Sequence, residues 1–370
     1  GVASIASNGS TETFFGAGTL SNLNKLGYYI LTVKTVGTSS YNVGDVIDLD
    51  NPAIATINAP SNTSITFDCN TATNFTADII ATMNIDTKQE KNKSLTKSFV
   101  KSIATPNTTN LLHDSLEVSD VYELIAVYNS ENLGNVPVLP TLVVTSTSDT
   151  LTPGEIITGN TSAAKGIVIL GAANTTEVTY VPVSGTFVGE TCVGSISGFT
   201  KTISSQIVGS TNITSRYSLD NGQRDNFYEH GRIKLKDGET APTGQINAVF
   251  NYFTHTGTGY FSVDSYTAAV GFDNIPTYTS PVTGVEVQLR DCIDFRPRRI
   301  DGGLLMQNVE IPAPNTNWSA DYSYYLPRID TLYLSRERKF GRNSGVPSLQ
   351  AVPPIRLDST MNLYTLEIPA

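Results

Sequence analysis

The chain has 370 residues, of which 39% are hydrophobic and 16% charged, and its formal net charge is −10. This acidic balance argues against a sequence-independent grip on nucleic acid or on an anionic membrane surface, and no apolar run reaches the roughly 18 residues of a membrane-spanning helix, so no membrane insertion is expected. The three cysteines, Cys69, Cys192 and Cys292, are far apart and odd in number, which argues against a disulfide framework or a cysteine-based zinc site.

Residues 1–25 are small and polar and are predicted to form a connector or an edge segment. The β-branched and aromatic run Tyr28–Val36 predicts a strand, and further short apolar runs alternate with Asn, Ser, Thr and Pro turns. We therefore predict a small β module over residues 26–101. A basic run closes this module, and we interpret it as a solvated loop, with a partner site as the alternative; it comprises Lys88, Lys91, Lys93, Lys97 and Lys101.

Residues 136–202 contain the clearest internal repeat. Gly154-Glu-Ile-Ile-Thr-Gly-Asn-Thr-Ser162 and Gly189-Glu-Thr-Cys-Val-Gly-Ser-Ile-Ser197 share the spacing G-E-x-x-x-G-x-x-S, 35 residues apart. Glycine permits turns with positive φ, so the repeat predicts one β-hairpin used twice in an inserted β module. A phosphate-binding loop would need a strand that leads into a helix, and neither copy has that context.

A main β body is predicted from residues 102–135 and 203–300, on either side of the insert. Its segments Val118–Tyr128, Phe261–Tyr266 and Val285–Arg290 are interpreted as strands, although the first could also be helical by its Leu, Glu and Ala content. Residues 301–370 are punctuated by prolines and are predicted to extend the β structure, with strands at Tyr322–Leu326 and Asp330–Leu334. The fold class predicted is all-β: several small antiparallel β-sandwich or barrel modules joined by Asn/Thr/Pro-rich loops.

The best candidate for catalysis or metal binding is a carboxylate cluster of Asp220, Asp225, Glu229 and His230. Two carboxylates could act as general acid and base in glycoside cleavage if they faced each other across a groove. The spacing gives no reason to expect that, and it misses the alternate positions of a calcium loop. A polar turn packed against Arg224 and Arg232 is the preferred interpretation, so we predict no enzyme activity, no cofactor and no metal.

An alternation of arginine and aspartate ends the main body and comprises Arg290, Asp291, Asp294, Arg296, Arg298, Arg299 and Asp301. Arginine forms bidentate hydrogen bonds of fixed geometry with carboxylates, so this pattern favours a partly buried ion-pair network at a domain or subunit junction. An anion or nucleic-acid site is the alternative, but the interleaved acids would neutralise most of its field.

Four runs carry a resemblance to a known family. They are Arg216-Tyr-Ser-Leu-Asp-Asn-Gly-Gln-Arg-Asp-Asn-Phe-Tyr228, Phe253-Thr-His-Thr-Gly-Thr-Gly-Tyr-Phe-Ser-Val-Asp-Ser-Tyr266, Arg290-Asp-Cys-Ile-Asp-Phe-Arg-Pro-Arg-Arg299 and Tyr324-Tyr-Leu-Pro-Arg-Ile-Asp-Thr-Leu-Tyr-Leu334. Over residues 205–370 the chain resembles a large virion structural protein of contractile-tailed marine phages, the cyanophage-type myoviruses. Before residue 205 the match is weak, and the modules there are similar to the variable insertions that such proteins collect.

The resemblance implies a virion protein of the tail, baseplate or attached fibres that acts by subunit assembly and host attachment. Its implied partners are other tail, baseplate or fibre proteins and further copies of itself as a homo-oligomer, with a host surface glycan as a further candidate. It also implies that the protein continues beyond Ala370 and carries no catalytic residues. Two alternatives stay open: a tail module that binds or degrades polysaccharide, and an extracellular adhesin unrelated to phage.

Overall fold

A computed structural model describes residues 2–6, 10–13, 18–20, 29–51, 55–61, 64–69, 75–85, 89–108, 113–145, 150–171, 176–307, 311–313 and 315–369. The prediction of an all-β protein is confirmed, because 46% of the residues lie in strands and 5% in helices, and the strands form several antiparallel sheets and a six-stranded barrel. The chain divides into two compact units, Gly1–Ala313 and Pro314–Ala370.

The first eight strands form three small antiparallel sheets. They are β1 (Val2–Ala6), β2 (Ser10–Thr13), β3 (Gly18–Leu20), β4 (Tyr29–Thr35), β5 (Ala55–Ser61), β6 (Ser64–Cys69), β7 (Thr76–Ala81) and β8 (Met83–Ile85). The sheet orders are β1-β7-β4, β2-β6-β5 and β3-β8. β1 and β2 are edge strands from the segment that the sequence predicts to be a connector or an edge. Alternate residues Leu31 and Val33 of β4 are buried together with Ile79 of β7, so a period-two pattern builds this small core.

The next strands begin the main body, with β9 (Asn92–Ile103), β10 (His113–Ser119) and β11 (Val121–Asn129). The prediction of a solvated basic loop is therefore wrong for the part of it that the structure describes; Lys88 lies outside the described residues. Lys91 and Lys93 are only 2% and 3% exposed, and β9 pairs along its length with a central strand of the body. A run of lysines indicates a loop only if the side chains are solvent-exposed, whereas Lys91 and Lys93 contact buried partners.

The inserted module is a closed antiparallel barrel. Its strands are β12 (Thr141–Val144), β13 (Ile156–Gly159), β14 (Lys165–Leu170), β15 (Glu177–Ser184), β16 (Thr191–Gly194) and β17 (Thr200–Ile207), in the order β12-β15-β14-β13-β16-β17. Closure leaves no free sheet edge, and apolar side chains such as Leu142, Val168 and Phe199 fill the interior. A second apolar cluster, with Ile169 and Val181 of the barrel and Tyr128 of β11, packs the barrel against the main body.

The remaining elements of the main body are β18 (Thr211–Asn212), β19 (Tyr217–Asp220), β20 (His230–Leu235), β21 (Ile246–Thr256), α1 (Val263–Val270), β22 (Thr277–Thr279) and β23 (Glu286–Gln288). A four-stranded sheet, β18-β11-β21-β9, and a three-stranded sheet, β10-β20-β19, share one buried core that includes Leu116, Ile233 and Phe250. Both sheets therefore contribute apolar side chains to one interior, as in a β-sandwich.

One strand prediction in the main body is wrong, and a second is confirmed only in part. Residues Val263–Val270 form a helix, because the Ser262 hydroxyl accepts a hydrogen bond from the backbone N–H of Asp264 (3.1 Å) and Ser265 Oγ accepts one from the N–H of Ser262 (3.0 Å). These reciprocal bonds cap a helix N-terminus. The segment Val285–Arg290 holds only the short strand β23, followed by a 3₁₀ turn at Leu289–Asp291.

The second unit contains a three-stranded antiparallel sheet in the order β25-β24-β26. Its strands are β24 (Arg328–Ser335), β25 (Phe340–Asn343) and β26 (Thr360–Ile368). β24 contains the predicted strand Asp330–Leu334, whereas the segment Tyr322–Leu326, also predicted as a strand, has no regular secondary structure. A tyrosine-rich run has high strand propensity, but propensity alone does not supply a partner strand.

Candidate functional site

A buried ion network lies in the main body, and its centre is the carboxylate of Asp120, between β10 and β11. Lys93 Nζ, from β9, lies 2.6 Å from Asp120 Oδ2, and His255 Nε2, from β21, lies 2.6 Å from the same oxygen. Gln223 Nε2 donates a hydrogen bond to the other oxygen, Oδ1, at 3.0 Å. The side chains of Lys93 and Asp120 are 0% and 1% exposed. A charge pair so far from water persists only when other polar groups complete its hydrogen bonds, as these do.

Four aromatic rings enclose the ammonium group of Lys93. Its Nζ lies 4.4 Å from the ring centre of Tyr228, 4.5 Å from those of Phe261 and Tyr266, and 5.4 Å from that of Phe253. All four aromatic residues are at most 1% exposed. The rings exclude water and present their negative faces to the cation, so they form a dry aromatic cage.

Asp294 and Arg296 extend the network toward the surface. Arg296 donates hydrogen bonds from Nε to Asp294 Oδ1 (3.0 Å) and from Nη2 to Oδ2 (2.9 Å), and from Nη1 to the carbonyl of Arg224 (2.8 Å). The hydroxyl of Tyr228 donates to Asp294 and accepts a hydrogen bond from Lys93, so it joins the two ion pairs. The bidentate geometry expected of arginine and aspartate is therefore present within one chain.

The charge states of the network follow from these contacts. Burial opposes both charges of the central pair, but the Asp120 carboxylate raises the pKa of Lys93 above its ordinary value, and Lys93 with His255 holds the pKa of Asp120 well below its own. Burial, reinforced by the charge of Lys93, lowers the pKa of His255 to about 4. His255 is therefore neutral near pH 7, and its Nε2 carries the proton that it donates to Asp120.

The neighbouring Lys91 is a buried cation of a different kind. Its Nζ donates to the carbonyl of Arg296 at 3.2 Å and lies 4.1 Å from the ring centre of Phe261. Burial is the main reason that the pKa of Lys91 falls to about 8, and the positive charges of Lys93 and Arg296 add to it against the opposing effect of Asp294. A lysine with this pKa is partly neutral near pH 7, unlike Lys93.

The predicted junction residues divide into three groups. Asp294 and Arg296 belong to the buried network. Arg298 pairs with Asp301 at 2.9 Å, and Arg299 Nη1 lies 2.7 Å from Glu229 Oε1. The last group is Arg290 and Asp291, which are partly exposed and whose Nε and Oδ2 atoms lie 4.0 Å apart. Their segment is held to the body by backbone pairing of Tyr228 with Arg298 and of Phe261 with Asp294. The alternation therefore joins chain segments within the first unit.

The structure does not gather the predicted carboxylate cluster at one point. Asp220 forms a bidentate pair with Arg224, Asp225 accepts a hydrogen bond from the hydroxyl of Tyr278, and Glu229 pairs with Arg232 and Arg299. His230 contacts the carbonyl of Ile300 at 2.9 Å. Each group has its own structural partner, and within the described residues no three histidine, cysteine or acidic side chains are placed to hold a metal ion.

The centre of the network was not predicted from the sequence. The basic run that contains Lys93 predicts a solvated loop, and no local pattern singles out Asp120 or His255. The available signal was the position of Lys93 two residues before Leu95, which packs against the apolar cluster that contains Phe253 and Tyr266. The hydrogen-bond partners of Lys93 are 27 and 135 residues away, and sequence spacing cannot indicate contacts at that range.

The repeated motif of the barrel is held by reciprocal carboxylate contacts. Glu155 of the first copy accepts hydrogen bonds from the backbone N–H of Ile196 and Ser197 and from the Ser197 hydroxyl of the second copy, at 3.0–3.1 Å. Glu190 accepts the equivalent bonds from Thr161 and Ser162 of the first copy. β13 and β16 pair with Thr158 opposite Val193, which are equivalent positions of the two copies. The motif therefore forms a two-fold structural clasp.

The motif glycines of β13 and β16 leave room for this clasp. A Cβ added at Gly159 would overlap the carboxylate of Glu190, and one added at Gly194 would lie 2.8 Å from Glu155 Oε2. The backbone and hydroxyl donors also lower the pKa of Glu190 to about 2 against the effect of burial. Glutamate, glycine and serine of the G-E-x-x-x-G-x-x-S spacing thus each have a packing role.

Residues 315–369 of the second unit contain no buried apolar core. Only Asp330, Thr331 and Gly345 are buried among its described residues, 315–369, and none of them has an apolar side chain. Fourteen large hydrophobic side chains are exposed, and we call this set the apolar surface of the second unit: Trp318, Tyr322, Tyr324, Tyr325, Leu326, Phe340, Val346, Leu349, Val352, Ile355, Leu357, Met361, Leu363 and Tyr364. Where exposed apolar side chains form a contiguous patch, such a surface is typical of an interaction site.

No helix in the described part of the chain is long and apolar enough to cross a membrane. No family model matches the chain, and neither the search of curated proteins nor that of solved structures gave a match.

Proposed function

We propose that this protein is a structural component of a phage virion, in the tail, baseplate or attached fibres, and that it acts by assembly with further copies of itself through the apolar surface of the second unit. The resemblance of residues 205–370 to virion proteins supports the virion assignment. The observation that carries the assembly role is the exposed apolar surface over a sheet that buries no apolar side chain among residues 315–369.

A three-stranded sheet needs an apolar face packed against something to be stable. The six exposed aromatic side chains of the second unit, Trp318, Tyr322, Tyr324, Tyr325, Phe340 and Tyr364, are 52–90% exposed. At roughly 150–250 Å² for each aromatic side chain, they alone present about 600–1,000 Å², close to the ~800 Å² that each partner buries in a standard interface. The apolar surface is therefore large enough for a stable subunit contact.

The charge distribution supports a second copy as the partner. Residues 314–370 contain six basic and five acidic residues, which gives them a net charge of +1. Because the whole chain has a net charge of −10, residues 1–313 have a net charge of −11. Two second units can therefore approach each other with little net repulsion, whereas two first units cannot. Contact between copies through the second unit keeps the acidic parts of the molecule outside the interface.

The outer edge of β26 offers a route for this contact. β26 pairs with β24 on one side, and within the described residues no strand pairs with its other side. The strand has nine residues, contains no proline and carries one charged residue, Glu367. Such an edge lacks the charges and prolines that usually prevent pairing between molecules. Antiparallel pairing of β26 with β26 of a second copy would extend the sheet, with Leu363 and Tyr364 on its two opposite faces.

The virion assignment is tested on phage particles. An antibody against residues 205–313, which leaves the proposed interface out, is used for immunogold labelling of intact particles, with peptide mass spectrometry of the same particles. We expect gold at the tail tip or fibres and peptides of the chain in purified virions. Particles whose peptides lack this chain would overturn the virion assignment, and gold confined to the head would overturn the tail location.

A further inference from the structure

The pair formed by Lys93 and Asp120 differs from the other lysine–carboxylate pairs in the described parts of the chain. The pair Lys34–Asp78 has side chains 47% and 33% exposed, and Lys101–Glu117 has side chains 26% and 53% exposed, whereas Lys93 and Asp120 are 0% and 1% exposed. In an aromatic cage, no bulk water competes with the amine for the carboxyl group or with the carboxyl group for the amine. These are the conditions in which the two groups can react with each other rather than with solvent.

The carboxyl group of Asp120 is also held in one orientation. Gln223 Nε2 donates to Oδ1 at 3.0 Å and His255 Nε2 to Oδ2 at 2.6 Å. The backbone of Asp120 has a positive φ of 58°, the αL turn conformation that aspartate tolerates, and it places the residue in the tight turn between β10 and β11. With Lys93 Nζ 2.6 Å from Oδ2, Nζ lies roughly 3–3.5 Å from Cγ, the separation from which well-oriented groups react.

We propose that Lys93 and Asp120 condense spontaneously to form an intramolecular isopeptide bond. One ammonium proton of Lys93 moves along the hydrogen bond to Oδ2, which leaves a neutral amine and a carboxylic acid. Nζ then attacks Cγ, a bond from Nζ to Cγ forms, and the bond from Cγ to Oδ2 breaks. Oδ2 leaves as water with two of the three original ammonium protons, and the third stays on the amide nitrogen. The step is a condensation in which nothing is oxidised or reduced.

The surrounding side chains favour each stage of this reaction. The ion pair is the resting state of the two groups, and the aromatic cage excludes the bulk water that would otherwise compete with Lys93 for the carboxyl carbon. The amide of Gln223 donates to Oδ1, on which negative charge develops during the attack. His255 donates to Oδ2, the oxygen that leaves. Once water has escaped, exclusion of solvent also protects the amide from hydrolysis.

The bond would connect β9 to the turn between β10 and β11, two segments that meet at the body's buried network. Intact mass spectrometry of the folded chain tests the proposal. We expect wild-type protein to be lighter than its sequence mass by one water molecule, and digestion to yield one branched peptide that contains both Lys93 and Asp120. Lys93→Arg, which keeps the charge but cannot form this amide, should show its full sequence mass.

Two further variants make the test decisive. Asp120→Asn should condense with loss of ammonia instead of water, and because the product is chemically the same, its final mass should equal that of the wild type. Lys101→Arg, at a half-exposed ion pair of the same strand, should retain the loss of water. Wild-type protein that is folded by circular dichroism and has its full sequence mass would overturn the proposal, as would a loss of water that persists in folded Lys93→Arg.

Discussion

Residues 1–313 and residues 314–370 treat burial in opposite ways. The first unit places charged groups in its interior, where Asp120, Lys93 and Asp294 are almost inaccessible to solvent. The second unit leaves its large apolar side chains outside, with Tyr325 90% and Ile355 91% exposed. Among the residues that the structure describes, the first unit has apolar cores built from two facing sheets and a closed barrel, and the second unit buries no apolar side chain. The first unit is therefore stabilised by contacts within its own residues, whereas the second, under the proposed assembly, is stabilised by contacts between copies.

The first unit itself uses two ways to bury a carboxylate. In the barrel, Glu155 and Glu190 accept hydrogen bonds from backbone N–H groups and serine hydroxyls. In the main body, Asp120 and Asp294 face Lys93 and Arg296. Removal of one partner from a buried ion pair leaves the other charge uncompensated, so the main body should be the more sensitive to substitution.

The largest effect is expected for Asp120→Ala. This change leaves Lys93 buried without its counter-charge, so, relative to the ion-paired form of the network, we expect the free energy of unfolding of the main body to fall by about 3–5 kcal/mol. Hydrogen exchange of the amides of β9 and β21 measures it. Asp291→Ala is the matched control, because the Asp291 side chain is 67% exposed and its contact with Arg290 is long, at 4.0 Å. This variant should change the free energy of exchange by less than about 0.5 kcal/mol. Equal effects of the two variants would contradict a stabilising role for the network.

A pH dependence centred on His255 should follow in size. The unfolded chain binds a proton at this histidine below the ordinary pKa of 6.5, whereas the folded chain binds one only near pH 4. Stability is therefore complete above pH 6.5 and falls as the pH is lowered toward 4, by about 2–4 kcal/mol. Urea midpoints at pH 6.5 and 4.5 measure this loss.

His255→Gln keeps a donor for Asp120 but cannot titrate. Its loss of stability between pH 6.5 and 4.5 should be clearly smaller than that of the wild type. An identical pH profile in the two proteins would show that His255 is not the titrating group.

The barrel clasp should give a smaller effect. Gly159→Ala places a methyl group against the carboxylate of Glu190. We therefore expect the free energy of opening, measured by hydrogen exchange of the amides of β13 and β16, to fall by about 1–3 kcal/mol. Gly189→Ala is the control from the same motif, since a Cβ there meets no atom within 4 Å. A Gly159→Ala barrel as stable as the Gly189→Ala barrel would contradict the two-fold clasp.

Local patterns in the sequence were sufficient for the fold class and for the two copies of the barrel motif. Alternation in β4 and the spacing of Gly154 and Gly189 are local signals, and the structure turns them into strands and turns. Asp120, Gln223 and His255 lie 27 to 162 residues from Lys93 along the chain. Their roles depend on contacts over that separation, which no local pattern encodes. Helix α1 was missed because valine and tyrosine suggest a strand, whereas the cap at Ser262 decides otherwise.

The measurement that tests the central claim most directly is analytical ultracentrifugation of the whole chain at micromolar concentration. Wild-type protein should sediment as an oligomer, and Tyr325→Ser combined with Ile355→Ser and Leu363→Lys should sediment as a monomer. Val208→Ser combined with Val282→Ser removes two apolar side chains that are 85% and 81% exposed on the first unit, and should leave the oligomer intact. A monomeric wild type, or an oligomer that survives the triple substitution, would contradict assembly through the apolar surface of the second unit.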